Sequence, residues 1–150
     1  MSWQRIRQRG ATAVEFAVIC PLTLLLIIGI MVMGLGIFRY QTLAMMSREA
    51  SRYASVHGTD YAAQTGNAAA TAETIYTNAI LPYATGLDTS KITYSVTWNT
   101  SNSPFHSATV SGKNVKVANT VTVIVNYNWI PEAYLNGITL SSSSTSVMCF

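Results

Sequence analysis

The feature that most constrains this chain is an uncharged stretch of 23 residues from Phe16 to Phe38, which lies between Glu15 and Arg39. As an α-helix it would extend about 34 Å, enough to cross a hydrocarbon core of about 30 Å. It is too long for the apolar region of a secretory signal, and no small-residue cleavage site follows it. A buried core helix is the alternative, but a soluble helix of this length normally carries a polar stripe, and here Thr23 is the one clearly polar side chain. The stretch therefore predicts a single transmembrane helix.

The residues before the apolar stretch are first basic and then small. Residues 1–10 carry Arg5, Arg7 and Arg9 and no acid. A glycine, four small or neutral residues, a glutamate and an aromatic residue follow, in the order Gly10-Ala11-Thr12-Ala13-Val14-Glu15-Phe16. Because positive charge stays on the cytoplasmic side of a membrane, this leader predicts a cytoplasmic N-terminus and an exported C-terminus.

This order of residues resembles the processing site of type IV prepilins, and with two later segments it resembles the TadE-like pseudopilins of the bacterial tight-adherence (Tad/Flp) pilus. The segment from Cys20-Pro21-Leu22 through Gly29 is similar to the proline-then-leucine-rich core of that family. Just past the apolar stretch, a segment similar to the family's Arg-Glu-small-x-Arg-Tyr-Ala motif reads Ser47-Arg48-Glu49-Ala50-Ser51-Arg52-Tyr53-Ala54. The resemblance covers residues 9 to about 56, and the rest of the chain fits it loosely.

The resemblance implies that a prepilin peptidase cleaves after Gly10, so that Ala11 becomes the first mature residue and Glu15 the fifth. In type IV pilins the fifth mature residue is a glutamate thought to pair with the N-terminal amine of a neighbouring subunit. Gly10 suits a protease cleft because glycine has no side chain to obstruct the backbone, although it could also be a flexible joint. Glu15, which precedes Phe16, also fits a helix-capping box with Thr12 as the N-cap, and this role is compatible with assembly.

The resemblance further implies a minor pilin or pseudopilin, a structural or assembly subunit of the pilus without catalytic residues or a cofactor. Its implied partners are the prepilin peptidase, other pilin or pseudopilin subunits, the inner-membrane assembly platform and membrane lipid. It would span the bacterial inner membrane once, with a periplasmic head, and reach the cell surface on assembly. Two alternatives remain open: a signal-anchored envelope protein whose head binds surface ligands, and an anchored periplasmic enzyme.

Charge argues against a nucleic-acid partner. The chain carries nine Lys and Arg residues against six Asp and Glu residues, and three of the basic residues lie in the leader. The mature chain would therefore be neutral, and the basic leader serves membrane topology rather than a polyanionic ligand. A second basic group, partly offset by Glu49, follows the apolar stretch at Arg39, Arg48 and Arg52.

Small and apolar residues indicate packing faces along the helix. Gly29 and Gly36 are seven residues apart and share a face on which a partner helix could pack, while Pro21 should kink or loosen the helix. Beyond the apolar stretch, spacings of three and four define an apolar seam made of Leu43, Met46, Ala50 and Tyr53. The polar residues placed away from this seam are Arg48, Ser51, Arg52 and Ser55. The seam could pack on the protein's own head or on neighbouring subunits.

The rest of the chain reads as an α+β head. The expected segments are a leader (1–10), a transmembrane helix (11–38), an amphipathic extension of it (39–56) and the head (57–150). An alanine-rich helix is expected over 60–81, stopped by Pro82, with Gly66 breaking it or Asn67 acting as a second N-cap. Alternating apolar residues predict strands at 92–98 and 117–129, and a last strand at 138–150 whose serine-rich part could fray. We therefore expect a long transmembrane helix that continues into a small pilin-like head with a second helix and about three antiparallel strands.

The sequence shows no catalytic or metal-binding constellation. The two histidines, His57 and His106, are not at ligand spacing from Cys20 or Cys149. No serine lies in a G-x-S-x-G setting, and no phosphate-binding glycine loop is present. Four aromatic residues could form an exposed adhesive patch, although aromatics at period two more often form the core of a sheet: Trp98, Tyr127, Trp129 and Tyr134.

Overall fold

The computed structural model describes residues 3–101, 107–131 and 137–149, with side chains from Thr12 onward. The chain divides into two compact units, Met1–Ile37 and Phe38–Phe150. A long helix, α1, spans Trp3–Val56 and supplies all the described secondary structure of the first unit and the start of the second.

The first unit is helical from Trp3 onward, so Thr12 lies inside α1 and is not the N-cap that the capping-box prediction expects. The helix begins earlier because no proline between Trp3 and Thr12 interrupts it. It continues through Pro21, and its most apolar part has a mean hydropathy of 2.8 with none of that part buried. A helix this long and apolar can cross a membrane, which fits a single-pass membrane protein.

The second unit carries two short helices after α1. They are α2 (Thr59–Thr65) and α3 (Ala72–Ile75), and α3 runs on into a π turn (Tyr76–Ile80) and a 3₁₀ turn (Leu81–Tyr83). Gly66 ends α2 with φ 74°, a conformation that glycine adopts without a Cβ clash, which confirms the break expected there. Asn67 is not the second N-cap. Thr71 takes that role, because its side chain and that of Thr74 each bond the other residue's backbone N–H.

Five strands follow among the described residues: β1 (Ile92–Asn99), β2 (Ser107–Val110), β3 (Lys113–Lys116), β4 (Thr120–Trp129) and β5 (Ile138–Val147). β1, β4 and β5 form an antiparallel sheet in the order β1-β4-β5, which confirms the α+β layout with three antiparallel strands. β2 and β3 form a separate hairpin that we did not predict. Its turn, Ser111-Gly112, has positive φ at both positions (51° and 78°), the geometry of a tight hairpin turn in which glycine favours the second place.

The core of the second unit lies on one face of the central strand β4. Val121, Val123 and Val125 are fully buried, and Tyr127 and Trp129 are almost so, as the alternating pattern predicts. The guanidinium of Arg39 lies 5.1 Å from the centre of the Trp129 ring, so the end of β4 is next to the first turn of α1 within this unit. Two of the four aromatic residues are thus core residues, and Tyr134 lies outside the described residues.

The apolar seam of α1 packs on the protein's own head. Leu43, Met46 and Ala50 are fully buried within the second unit, which decides between the two alternatives left open by the sequence. Tyr53 is half-buried at the edge of this seam. Ser51 and Ser55 lie beside the seam and not within it, as expected, but both are buried with Ser47 on that adjacent side of the helix, which we did not predict.

The serine-rich stretch of β5 is the reason that these helix serines are buried. β5 pairs with β4 along its whole length, from Ile138 opposite Trp129 to Val147 opposite Thr120, so the expectation of fraying is wrong. Alternate serines of β5 meet the helix serines at hydroxyl-to-hydroxyl distances of 3.0 Å (Ser47–Ser142), 2.8 Å (Ser51–Ser144) and 3.1 Å (Ser51–Ser146). The Cys149 amide donates to the Ser55 carbonyl oxygen at 3.0 Å, which continues the contact to the end of the helix. We call this set of contacts the serine interface.

Each serine hydroxyl in this interface is satisfied. The hydroxyl of Ser51 donates to the Arg48 carbonyl oxygen at 3.0 Å, so its two lone pairs are left to accept from Ser144 and Ser146. Ser47 donates in the same way to the Ala44 carbonyl oxygen at 3.1 Å and can accept from Ser142. Burying these hydroxyls costs little because each one retains hydrogen bonds.

Candidate assembly surfaces

The first candidate surface is the apolar helix of the first unit. Apolar side chains such as Phe16 (69 % exposed) are exposed along the part of this unit whose side chains the structure describes. The polar group inside the apolar stretch, the Thr23 hydroxyl, donates to the Ile19 carbonyl oxygen at 2.9 Å. The stretch therefore presents hydrocarbon without an unsatisfied side-chain group, which suits contact with lipid or with another apolar helix.

Glu15 is the one charged side chain among residues 12–37. It is exposed, and it makes no ion pair with any described residue of the chain. Gly10 and Ala11, which precede it, lie within α1. A lone carboxylate at the edge of an apolar stretch is costly to bury unless a positive group accompanies it.

Of the two glycines on the proposed helix-packing face, Gly29 is not required by contacts within the described chain. A Cβ built on Gly29 would meet nothing within 4 Å. Gly36 is partly covered, and Pro21 is exposed. Packing of this face against a partner helix stays a prediction.

The second candidate surface is a cleft of about 250 Å³ in the head. Glu49, Arg52 and Tyr53 line it, together with His57 and Asn78 among others. The structure thus brings together three of the four predicted motif residues, while Arg48 lies outside the cleft. His57 lies one helical turn past Tyr53, and its backbone N–H donates to the Tyr53 carbonyl oxygen. The approach of Asn78 could not be predicted from the sequence, because it depends on the turn between α1 and α3.

Aromatic stacking fixes one wall of this cleft. The Tyr53 and His57 rings stack with centroids 4.1 Å apart and an angle of 17° between their planes, and Tyr61 packs on His57 at 4.9 Å. Asn78 donates its side-chain amide to the Tyr53 hydroxyl at 3.3 Å, which links the helix to the π turn. The helix end that carries the motif is therefore held in place by the head.

The motif charges have no partner of their own among the described residues. Arg48, Glu49 and Arg52 make no ion pair within 4 Å of any charged group in the described chain. Arg48 and Arg52 are exposed, and Glu49 is half-buried. No group of three or more metal-ligating side chains occurs in the described ranges. Opposite charges without a partner in the described chain are available to a surface of complementary charge.

One continuous segment contains Gly10, Glu15, the apolar helix and the membrane-proximal motif as far as Arg52. Residues 10–52 match the model of the TadE-like protein family. The match confirms the resemblance inferred from the sequence. The matched residues include the apolar helix and two of the residues that line the cleft, Glu49 and Arg52. It indicates involvement in the tight-adherence pilus, with pilus-associated partners. No curated protein and no solved structure matches the chain.

Proposed function

We propose that this chain is a minor pilin or pseudopilin, a structural or assembly subunit of a bacterial tight-adherence pilus. One observation carries the proposal: the TadE-like match begins at Gly10, five residues before a lone carboxylate and a 23-residue uncharged helix with open side chains. A leader, a glycine, an acid and an exposed apolar helix in this order are the parts that a type IV-like subunit needs.

The mechanism follows from the cost of isolated charges in an apolar environment. A prepilin peptidase in the inner membrane cleaves after Gly10 and leaves a new ammonium group on Ala11. The apolar helices of neighbouring subunits then pack side by side, and Glu15 of one subunit neutralises the ammonium group of another. Either charge alone is expensive in a low-dielectric bundle, so pairing sets the axial register of the helices.

The first test is the mature N-terminus. Mass spectrometry of the protein isolated from membranes is expected to show a chain that begins at Ala11. Gly10→Val should leave the chain at full length, because a β-branched side chain at this position obstructs the peptidase. Gly34→Val is the matched control, since a Cβ at Gly34 meets nothing within 4 Å, and it should be processed normally. A native chain that retains residues 1–10 would contradict the proposed function.

A further inference from the structure

One face of α1 outside the buried seam is open within the second unit. Phe38, Met45 and Val56 are 60 %, 50 % and 39 % exposed. They lie on one helix face with Glu49 and Arg52, since the successive spacings are seven, four, three and four residues. We call these five residues the open stripe.

A groove runs beside the open stripe. The cleft around Glu49 and Arg52 adjoins a second cleft of about 410 Å³ that is lined by Phe38 and Met45, and Tyr83 lines both. The far wall is the segment that follows α3, which contributes side chains to one cleft or the other: Asn78, Ala79, Pro82, Tyr83 and Thr85. From Phe38 to Val56 the helix extends about 27 Å, a length along which another helix can lie.

The charges of the open stripe specify the partner. Glu49 and Arg52 are opposite in sign, lie one turn apart, and make no ion pair within the described chain. A surface that exposes apolar side chains around one acid and one base is complementary in charge to a copy of itself.

Copies anchored in one membrane by the same end have parallel helices. In register, Glu49 would face Glu49 and repel it. An offset of three residues, about 4.5 Å, places Glu49 of one copy level with Arg52 of the next.

We propose that the open stripe binds the same helix of a second copy of this chain, in parallel and offset by three residues, with Glu49 of one copy paired with Arg52 of the next. This inference rests on the proposed function for the parallel orientation of the copies. The contact uses different residues on the two partners, so it leaves a free acid at one end and a free base at the other. Because both copies use the same stripe, such a contact gives a pair without two-fold symmetry and not a symmetric dimer.

The test is cross-linking between two differently tagged full-length copies expressed together in bacterial membranes, in a Cys20→Ser, Cys149→Ser background. One copy carries Thr42→Cys and the other Met45→Cys, positions that become level at the proposed offset. Efficient cross-linking is expected for this pair. Adding Glu49→Arg to both copies, or Arg52→Glu to both, should lower the yield at least about tenfold because like charges then meet.

Complementation between copies distinguishes this contact from a structural role within one chain. A copy with Thr42→Cys and Glu49→Arg should cross-link to a copy with Met45→Cys and Arg52→Glu at nearly the original yield, because the opposite charges meet again. To leave one order of the pair favourable, Arg52→Glu is added to the first copy as well, so that its position 52 repels Glu49 of the second copy. Exchanging the two cysteines between these copies should then abolish the cross-link, since in the remaining arrangement the cysteines would be about 9 Å apart along the axis. Glu73→Arg and Lys113→Glu are exposed controls outside the groove and should change nothing.

Three outcomes would overturn the inference: no recovery in the complementing pair, equal yields after the cysteines are exchanged in the pair whose first copy also carries Arg52→Glu, or cross-links to a different protein alone. If any of these is found while the chain is trimmed to Ala11 and co-purifies with pilus fibres, the proposed contact through the open stripe is contradicted and the proposed function is retained. If the cross-link depends on which copy carries which cysteine but the chain keeps its leader, the contact through the open stripe is supported and the proposed function is contradicted.

Discussion

Replacing Glu15 by alanine is expected to lower the amount of this protein in purified pilus fibres by more than about a hundredfold. Removing one partner of a buried ion pair costs about 3–5 kcal/mol, because the other charge stays buried without compensation. With a factor of ten for each 1.4 kcal/mol, that cost corresponds to a reduction of about two to three and a half orders of magnitude. The measurement is quantitative immunoblotting of sheared fibres against the membrane pool of the same cells.

Two control variants separate charge from volume and from general damage to the helix. Glu15→Gln keeps the size of the side chain and removes its charge, so it should behave like the alanine variant. Thr23→Ala removes a hydroxyl that is already bonded to the Ile19 carbonyl oxygen within the helix, and it should leave incorporation unchanged. Both Glu15 variants should still be trimmed to Ala11. Normal incorporation of Glu15→Ala would rule out the charge-pair mechanism.

A second large effect is expected at the serine interface, where Ser51→Leu should destabilise the head by about 4 kcal/mol or more. Ser51 is 1 % exposed, and its oxygen is 2.8 Å from that of Ser144, so a larger side chain has no room. Leucine also deprives Ser144 and Ser146 of their acceptor. Since a small domain is stable by about 5–15 kcal/mol in total, much of the folded population would be lost. Urea unfolding of the full chain in detergent, followed by tryptophan fluorescence, measures the effect because Trp129 is buried.

Smaller substitutions divide this effect into its parts. Ser51→Ala keeps the close approach and removes the acceptor, so it should cost about 1–2 kcal/mol. Adding Ser144→Ala and Ser146→Ala should recover most of that loss, because no buried hydroxyl is then left unsatisfied. Ser143→Leu, on the exposed face of the same strand, should change the free energy of unfolding by less than about 0.5 kcal/mol. If Ser143→Leu and Ser51→Leu had equal effects, the serine interface would not be a packing constraint.

The pattern of apolar residues along the chain was sufficient to predict the long helix and the central strand. The uncharged stretch beginning at Phe16 predicted the long helix, and the valines that alternate from Val121 to Val125 predicted the central strand and its buried face. These patterns are local, because a helix that is apolar all round indicates contact with lipid and an alternating strand indicates one face in a core.

The pattern of apolar residues did not predict which polar side chains are buried. Ser51 looks like a surface residue in the sequence because the hydroxyl donors that permit its burial are supplied by β5, more than 90 residues away. The same hydroxyls make the serine stretch around Ser144 look like a frayed tail when read alone. The groove beside Glu49 could not be predicted from the sequence either, since its wall is formed by the turns around Tyr83, which approach α1 only in the folded head.

The serine interface also bears on the order in which the head can mature. Ser47 emerges from the ribosome 95 residues before its partner Ser142, so the helix is made early and its polar edge is covered late. Contacts this distant along the chain carry a high entropic cost of loop closure and form slowly. Until β5 has been synthesised and has reached the helix, the nascent head lacks one edge of its sheet, and a chaperone or the export machinery has that interval in which to act on it.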